Sequence, residues 1–263
     1  MELPKIIALL REEIQAGRSP MLADVARTHG FSPWHFSREF KRTAGFSLRQ
    51  FAEATKIQHS IDAVSTRRLS VTHSAHLSGY ASLGTFSNAF RRHTGISAKR
   101  FHQETQTAIS ILRKLGSKTG TLYHHEYPNA ETAKNRLKVT VHFPDGYVPA
   151  ITCVGLFPTA IPKGPPVVGA ALFHHTSVTL HNIPAGAFYL LACDLTPNRN
   201  YIRMLQDNYR QKGPRVLHFP TDSDQHFELA MRLRQPEDPP ITMNFPVLIA
   251  NIVRNRLQQR NSE

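Results

Sequence analysis

The chain has 263 residues, of which 40% are hydrophobic, and a formal net charge of +13. This length leaves room for two domains, each with its own buried core. No stretch approaches eighteen consecutive apolar residues, and no signal-peptide pattern is evident at the N-terminus, so the composition argues against membrane-spanning and secreted proteins and we expect a cytoplasmic one.

Basic residues concentrate in the first part of the chain. Up to Leu115 there are 17 Lys and Arg residues against 8 Asp and Glu residues, and after it there are 15 against 11. A basic surplus favours binding to a polyanion, because each phosphate contact releases condensed counterions, although charge alone is also typical of a solvated face. Only three of the 18 prolines precede Leu115, so helices dominate the first part and cannot dominate the second.

Seven helices are predicted in the first part. Residues 4–16 carry Ile6, Leu10 and Ile14 at helical spacing, which indicates one buried face. The other predicted helices span residues 21–29, 33–44, 48–65, 71–78, 83–94 and 98–115.

One pattern occurs twice, about fifty residues apart. Each copy has a Gly-aromatic pair, then a Ser placed to cap a helix, then two Phe residues four positions apart with basic residues after the second. The paired phenylalanines are Phe36 and Phe40 in the first copy and Phe86 and Phe90 in the second. Such a unit is typical of a helix-turn-helix, so the sequence predicts two reading helices on one chain.

The first predicted reading helix has a distinctive outer face. Trp34, Ser37, Arg38 and Lys41 follow helical spacing, while the two phenylalanines share the opposite face. In a DNA major groove, Arg38 would pair with guanine and Trp34 would pack on sugar or a thymine methyl, while Lys41 and Arg42 would contact phosphates. The alternative is that Trp34 packs against a neighbouring helix.

The second predicted reading helix is less informative. Its matching outer positions are Leu83, Gly84, Ser87, Asn88 and Arg91, followed by Arg92. Asn88 could read adenine, but a surface amide without a role fits the sequence equally well. Leu83 and Gly84 can offer only apolar or backbone contacts, so we expect the first helix to carry most of the base selectivity.

Residues 21–101 resemble the double helix-turn-helix DNA-binding module of AraC/XylS-type transcriptional regulators. The run Ser-Pro-Trp-His-Phe-Ser-Arg-Glu-Phe-Lys is most similar to the branch that contains MarA, SoxS and Rob. The resemblance implies a sequence-specific regulator, by family habit an activator, that binds double-stranded DNA and RNA polymerase in the nucleoid. It also places Trp34, Ser37 and Arg38, and in the second helix Leu83, Gly84, Ser87 and Asn88, at base-contacting positions.

Three serines depart from that family pattern. Ser60, Ser74 and Ser78 stand where the family usually has Ala or aliphatic residues. Hydroxyls at inner positions weaken packing unless they are hydrogen-bonded. Two reading helices fixed by one connector must enter successive major-groove segments about 34 Å apart, so a monomer should bind a non-palindromic site.

The second part of the chain is predicted to be mainly β with one or two helices. Strand-like runs occupy residues 137–143, 151–157, 167–173, 178–183, 188–195 and 227–233, with helices predicted at 201–211 and from Pro246 onward. The runs at 152–157, 166–170 and 180–191 are similar to transthyretin-like sandwiches such as carboxypeptidase regulatory domains. We therefore predict a multidomain protein with a helical DNA-binding domain at 1–115, a linker at 116–135 and a β-sandwich at 136–263. The sandwich would bind a small-molecule effector or a protein partner, or serve a structural role.

Catalytic and metal-binding functions find little support. Cys153 and Cys193 lie in apolar runs without redox or metal spacing, so they are expected to be buried thiols. Neither has the Pro-Cys-His-Arg context of the methyl acceptor in Ada-type repair proteins, which join the same module to DNA alkylation repair. The adjacent histidine pairs 124–125 and 174–175 would point to opposite sides of a strand. No cofactor, metal or membrane contact is predicted; the remaining alternative is an architectural DNA binder without sequence preference.

Overall fold

A computed structural model describes residues 2–18, 20–66, 69–115, 119–126, 135–196, 204, 208–221, 225–235 and 237–260. The chain divides into two compact units. The first contains Met1–His102 with the short segments Ala160–Gly164 and Gln235–Met243, and the second contains Gln103–Thr159, Pro165–Arg234 and Asn244–Glu263.

Seven helices make up the N-terminal region, as the sequence predicts. They are α1 (Leu3–Gln15), α2 (Leu22–Thr28), α3 (Pro33–Ala44), α4 (Leu48–Thr66), α5 (Val71–Leu77), α6 (Leu83–Thr94) and α7 (Ala98–Leu115). The predicted ends are correct to within one residue, because Ser32, Ser70 and Ser82 cap α3, α5 and α6 through their side chains. Glycines at 45 and 95 end α3 and α6 in the left-handed conformation, with φ of 81° and 83°.

Helix α4 is the connector of the first unit. It contacts α1, α3, α5 and α6, and Phe51, Ile57 and Ile61 are fully or almost fully buried along it. Three of the largest buried side chains, Phe36, Phe40 and Phe51, belong to this helical core. Their burial packs the first helix-turn-helix motif onto the connector, and the buried Phe86 and Phe90 supply the matching core of the second motif, whose α5 and α6 also contact α4.

The three unusual serines are fully buried and hydrogen-bonded. Ser60 donates to the carbonyl oxygen of Lys56 at 2.8 Å and lies 2.6 Å from the Ser78 hydroxyl. Ser74 donates to the Ser70 carbonyl oxygen at 3.0 Å. The Ser60–Ser78 hydrogen bond joins α4 to the end of α5. Because each of the three hydroxyls has a partner, none carries the penalty of an unsatisfied buried polar group.

The described residues of the second unit include two β-sheets. The strands are β1 (Gly120–His125), β2 (Leu137–His142), β3 (Ile151–Phe157), β4 (Val168–Phe173), β5 (Ser177–Leu180), β6 (Gly186–Asp194), β7 (Tyr209–Phe219), β8 (Gln225–Ala230) and β9 (Arg232–Leu233). One sheet has the order β1-β4-β3-β6-β7-β9 with antiparallel neighbours, and the other has the order β5-β2-β8, in which β2 and β8 are parallel.

The two sheets share one hydrophobic core. Val139 of β2, Leu156 of β3 and Leu190 of β6 belong to it, together with Leu229 of β8. The last helix, α8 (Phe245–Arg260), begins after Asn244, whose side-chain oxygen accepts from the Val247 amide, and it contacts β1. This β-rich part confirms the predicted fold class, while the likeness to transthyretin stays a prediction.

Several local predictions differ from the structure. Strand β1 lies within residues 116–135, where composition indicated a linker; residues 116–118 and 127–134 of that stretch are outside the described part. Residues 209–211, predicted as the end of a helix, belong to β7 because Ala192 and Cys193 pair with Gln211 and Arg210. Residues 201–203 and 205–207 of the same prediction fall outside the described residues. The alternating run 227–233 forms β8 and β9, which belong to different sheets. None of the described helices is long and apolar enough to cross a membrane.

Candidate nucleic-acid interface

Helix α3 presents the outer face that its spacing predicts. Ser32 caps it, with its side-chain oxygen accepting from the His35 amide at 3.3 Å, and Pro33 occupies the first turn, where a missing amide hydrogen is tolerated. Phe36 and Phe40 are fully buried, so the opposite face is turned outward.

Trp34 is 70% exposed, which places it on the surface rather than against a neighbouring helix. The guanidinium carbon of Arg38 lies 4.6 Å from the centroid of the Trp34 ring. Stacking of this kind limits the conformations of both side chains while leaving the guanidinium edge open. The two residues therefore form one exposed, partly ordered unit near the start of the helix.

Helix α6 repeats the arrangement with different chemistry. Ser82 accepts from the Thr85 amide at 3.2 Å, and Phe86 and Phe90 are fully buried. The predicted contact positions Leu83, Gly84, Ser87, Asn88 and Arg91 are all exposed. A Cβ added at Gly84 would meet nothing within 4 Å, so glycine is not needed for packing there. Its bare backbone leaves room for another molecule to approach the helix closely.

Two of the predicted phosphate contacts are already paired with carboxylates. Arg42 forms an ion pair with Glu39 on the exposed side of α3. The pairing raises the pKa of Arg42 and lowers that of Glu39 through their hydrogen bond. Arg92 of α6 donates to Oε1 of Glu53 on α4 at 2.6 Å. Lys41 is exposed beside Arg42.

A cleft of about 810 Å³ brings residues of both reading helices together. Ser37 of α3 and Thr85, Asn88 and Arg92 of α6 line it. The outer faces of the two helices thus border one cleft, while Trp34, Arg38 and Leu83 do not line it. One molecule lying over this surface would meet both reading helices.

The floor of the cleft comes from a face of α4 that motif-based reasoning missed. Arg49, Ala52, Glu53 and Lys56 line the cleft at helical spacing. Their i, i+3, i+4, i+7 spacing can be read from the sequence, but these residues lie outside the repeated motif that predicts the reading helices. That second, polar stripe was the signal that could have identified them.

Glu53 is the centre of a charge network in the first unit. Its Oε1 accepts from Arg92 and lies 3.1 Å from Nε2 of His93, and its Oε2 accepts from Lys163 at 3.0 Å. The His93 hydrogen bond, followed by those from Arg92 and Lys163, holds the pKa of Glu53 far below its usual range, although burial opposes the shift. Glu53 therefore stays ionised and fixes Arg92 at the wall of the cleft.

His93 is the buried member of this network, with no exposed side-chain surface. Its Nδ1 lies 2.9 Å from the Thr242 hydroxyl. Burial lowers the pKa of His93 despite the neighbouring carboxylate. A neutral ring suits the contacts, because Nε2–H can donate to Glu53 while Nδ1 accepts from Thr242.

The two cysteines are buried free thiols, as predicted. Cys153 of β3 and Cys193 of β6 are direct partners across the strands. The hydrogen bond between the thiols and their burial raise the pKa of Cys153 well above its ordinary value. A thiol in this state is a poor nucleophile. Within the described part of the chain, no three His, Cys, Asp or Glu side chains cluster as a metal site requires.

Comparisons with known proteins agree on the helical module. Residues 25–104 match the family described as a helix-turn-helix domain. A relative from Proteus vulgaris, described as "Probable transcription factor PqrA", is 22% identical over 98 residues, which are 37% of this chain and 80% of that protein.

Two solved structures are similar to part of the chain. The DNA-binding domain of AdpA, solved with a target DNA, is 20% identical and covers 40% of this chain and 93% of its own, with a TM-score of 0.37. A transcriptional regulator from Chromobacterium violaceum with an AraC-type DNA-binding domain is 19% identical and covers 39% of this chain and 89% of its own, with a TM-score of 0.36. The predicted helix-turn-helix module is confirmed by the family match.

Proposed function

We propose that this chain is a sequence-specific, DNA-binding transcriptional regulator of the AraC type, which inserts α3 and α6 into successive major-groove segments. The observation that carries the proposal is the arrangement of two capped helices whose exposed faces border one cleft. A match to a helix-turn-helix family over residues 25–104 supports it.

The roles of the individual residues follow from their exposure. Arg38, ordered by Trp34, reads guanine in the first segment, with Ser37 beside it. Asn88 reads a base in the second segment, where Leu83, Gly84 and Ser87 supply close contacts. The exposed cations at the ends of the two helices, Lys41, Arg42, Arg91 and Arg92, contact phosphates.

The β-rich part has a different role in this proposal. It binds a small effector or a protein partner, and the regulator acts as an activator that contacts RNA polymerase in the cytoplasmic nucleoid. Ada-type repair is not part of this proposal, since Cys153 is buried and its raised pKa opposes the nucleophilic chemistry that such repair needs.

In vitro site selection tests the proposal. Random duplexes would be enriched with the full chain, and affinity for the selected and for a scrambled duplex would then be measured across salt concentrations. We expect a non-palindromic site bound about a thousandfold or more tightly than scrambled DNA. Equal affinities at every salt concentration would identify an architectural binder and refute a regulator.

A further inference from the structure

The cleft between the reading helices has a basic floor. Arg49 is exposed there, and Lys56 is half-buried, with its ammonium group 3.3 Å from the Gly79 carbonyl oxygen. The same ammonium lies 5.7 Å from the centroid of the Tyr80 ring. Burial lowers the pKa of Lys56, so its charged form gains from an incoming anion.

The acidic charge in the cleft is already satisfied. Of the described residues that line the cleft, Glu53 alone is acidic, and it accepts from Arg92 and Lys163 and contacts His93. Counting Arg49, Lys56 and Arg92 against Glu53, the lining carries an excess of positive charge. An anion can enter without meeting an unpaired carboxylate.

The position of the cleft identifies the anion. When two helices occupy successive major grooves on one side of a duplex, the minor groove and the two phosphate strands that border it lie between them. Ser37 of α3 and Asn88 of α6 border the cleft from the two reading faces. The α4 face between them is therefore turned toward that stretch of DNA backbone.

We propose that this cleft is a phosphate-binding site for the DNA backbone between the two major-groove segments, with Lys56 and Arg49 as its cationic contacts. The inference rests on the proposed function, since it takes both reading helices to be on DNA together. These contacts add affinity and fix the spacing of the two helices without reading bases.

Arg92 has a second part in the same site. Glu53 holds its guanidinium at the wall of the cleft before DNA arrives, so little conformational entropy remains to be lost on binding. A phosphate can then bind the exposed edge of Arg92, whose side chain keeps about half of its surface accessible at 54%. The Glu53 carboxylate therefore positions the Arg92 guanidinium for a phosphate and does not prevent it from binding one.

The site can be tested with a thermodynamic cycle of DNA affinities, in which a protein variant and a modification of the DNA backbone are introduced singly and together. Methylphosphonates, which are uncharged, would replace the phosphates between the two segments of the selected duplex. For each lost contact we expect wild-type affinity to fall about eightfold at 0.1 M salt, with the salt slope smaller by about 0.9. On unmodified DNA, Lys56→Gln should show the same loss of affinity relative to wild type, for selected and scrambled duplexes alike. When methylphosphonates are introduced, its affinity should fall less than that of wild type.

Lys5→Gln is the matched control, because it removes the same charge from an exposed position on α1 outside the cleft. Its response to modification should equal that of wild type. Lys56→Arg should restore the salt slope. If circular dichroism shows Lys56→Gln to be unfolded, Arg49→Gln at an exposed position carries the same cycle.

The outcomes separate this site from the proposed function. If wild type prefers the selected duplex but Lys56→Gln and Arg49→Gln have the same salt slope as wild type, the phosphate site is refuted and the proposed regulator function is not. Loss of the preference in wild type would overturn the regulator. Inorganic phosphate, added at constant ionic strength, should displace DNA equally from wild type and Lys56→Gln; stronger displacement from wild type would identify a small-anion pocket and overturn the backbone site.

Discussion

Truncating Arg38 should lower the affinity for the selected site and relax the choice of base at one position of it. A bidentate Arg–guanine pair contributes about 1 to 3 kcal/mol of discrimination, so Arg38→Ala should reduce affinity for the selected site by about 5-fold to 150-fold. The stack of Arg38 on Trp34, with the guanidinium 4.6 Å from the ring centroid, contributes about 0.5 to 1 kcal/mol to ordering the Arg38 side chain before DNA binds, the range for an exposed cation–π contact.

The stack makes the two residues energetically dependent on each other. Fluorescence anisotropy at one fixed salt concentration would give affinities for wild type, Trp34→Ala, Arg38→Ala and the double variant. We expect the double variant to lose about 0.5 to 1 kcal/mol less than the sum of the single losses. Arg38→Lys keeps the charge but not the bidentate geometry, so it should also relax base choice.

A uniform loss of affinity would contradict the role of Arg38 in base reading. If Arg38→Ala weakens selected and scrambled duplexes by the same factor, Arg38 contacts phosphate and the outer face of α3 has been assigned wrongly. Strict additivity of Trp34→Ala and Arg38→Ala would show that the stack does not contribute to DNA affinity.

Three further results are expected. Arg42→Ala should lower the affinity for all duplexes alike by several-fold, whereas Glu39→Gln, which frees Arg42 from its ion pair, should raise the affinity for all duplexes alike. A higher affinity in Arg42→Ala or a lower one in Glu39→Gln would show that Arg42 does not contact phosphate. Burial lowers the pKa of His93 below 6.5, so near pH 6 the unfolded state binds more protons than the folded state. The free energy of unfolding, measured by urea denaturation, should therefore fall between pH 7.5 and 5.5, and it should fall less in His93→Gln. Identical pH profiles for the two proteins would contradict a buried neutral ring. Tyr80→Phe should leave stability equal or raise it by up to about 1 kcal/mol, since the buried hydroxyl has no hydrogen-bond partner among the described residues, and a clear loss in thermal melts would reveal one.

The helical module could be predicted closely because its signals are local. The caps at Ser32 and Ser82, the glycine stops and the Phe pairs each act within one helix, so their effect is readable from neighbouring residues. The outward direction of Trp34 followed from the same reasoning, since Phe36 and Phe40 already supply the inner face.

The β-rich part was harder to predict because its pairings are long-range. Strand β7 contains Gly213 and Pro214, which interrupt its alternation, and a register shift interrupts its pairing with β6 between Tyr189 and Leu191. No local pattern marks such a strand, since its partners lie 17 to 33 residues away along the chain. The linker predicted at residues 116–135 misses strand β1 for the same reason, because Leu122 pairs with Ala171, far along the chain.

The charge network of Glu53 shows what local reasoning leaves out even in the helical module. Lys163 and Thr242, from two short segments far along the chain, complete the contacts of Glu53 and His93 within the first unit. A fragment ending at Leu115 keeps both reading helices but leaves a fully buried imidazole without its Thr242 partner and Glu53 without Lys163. We expect this fragment to retain base preference but to unfold at lower urea concentration than the full chain, because a buried polar group that loses its partner costs about 1 to 3 kcal/mol. Equal urea midpoints for the helical signal would show that the two segments contribute nothing to the stability of the helices.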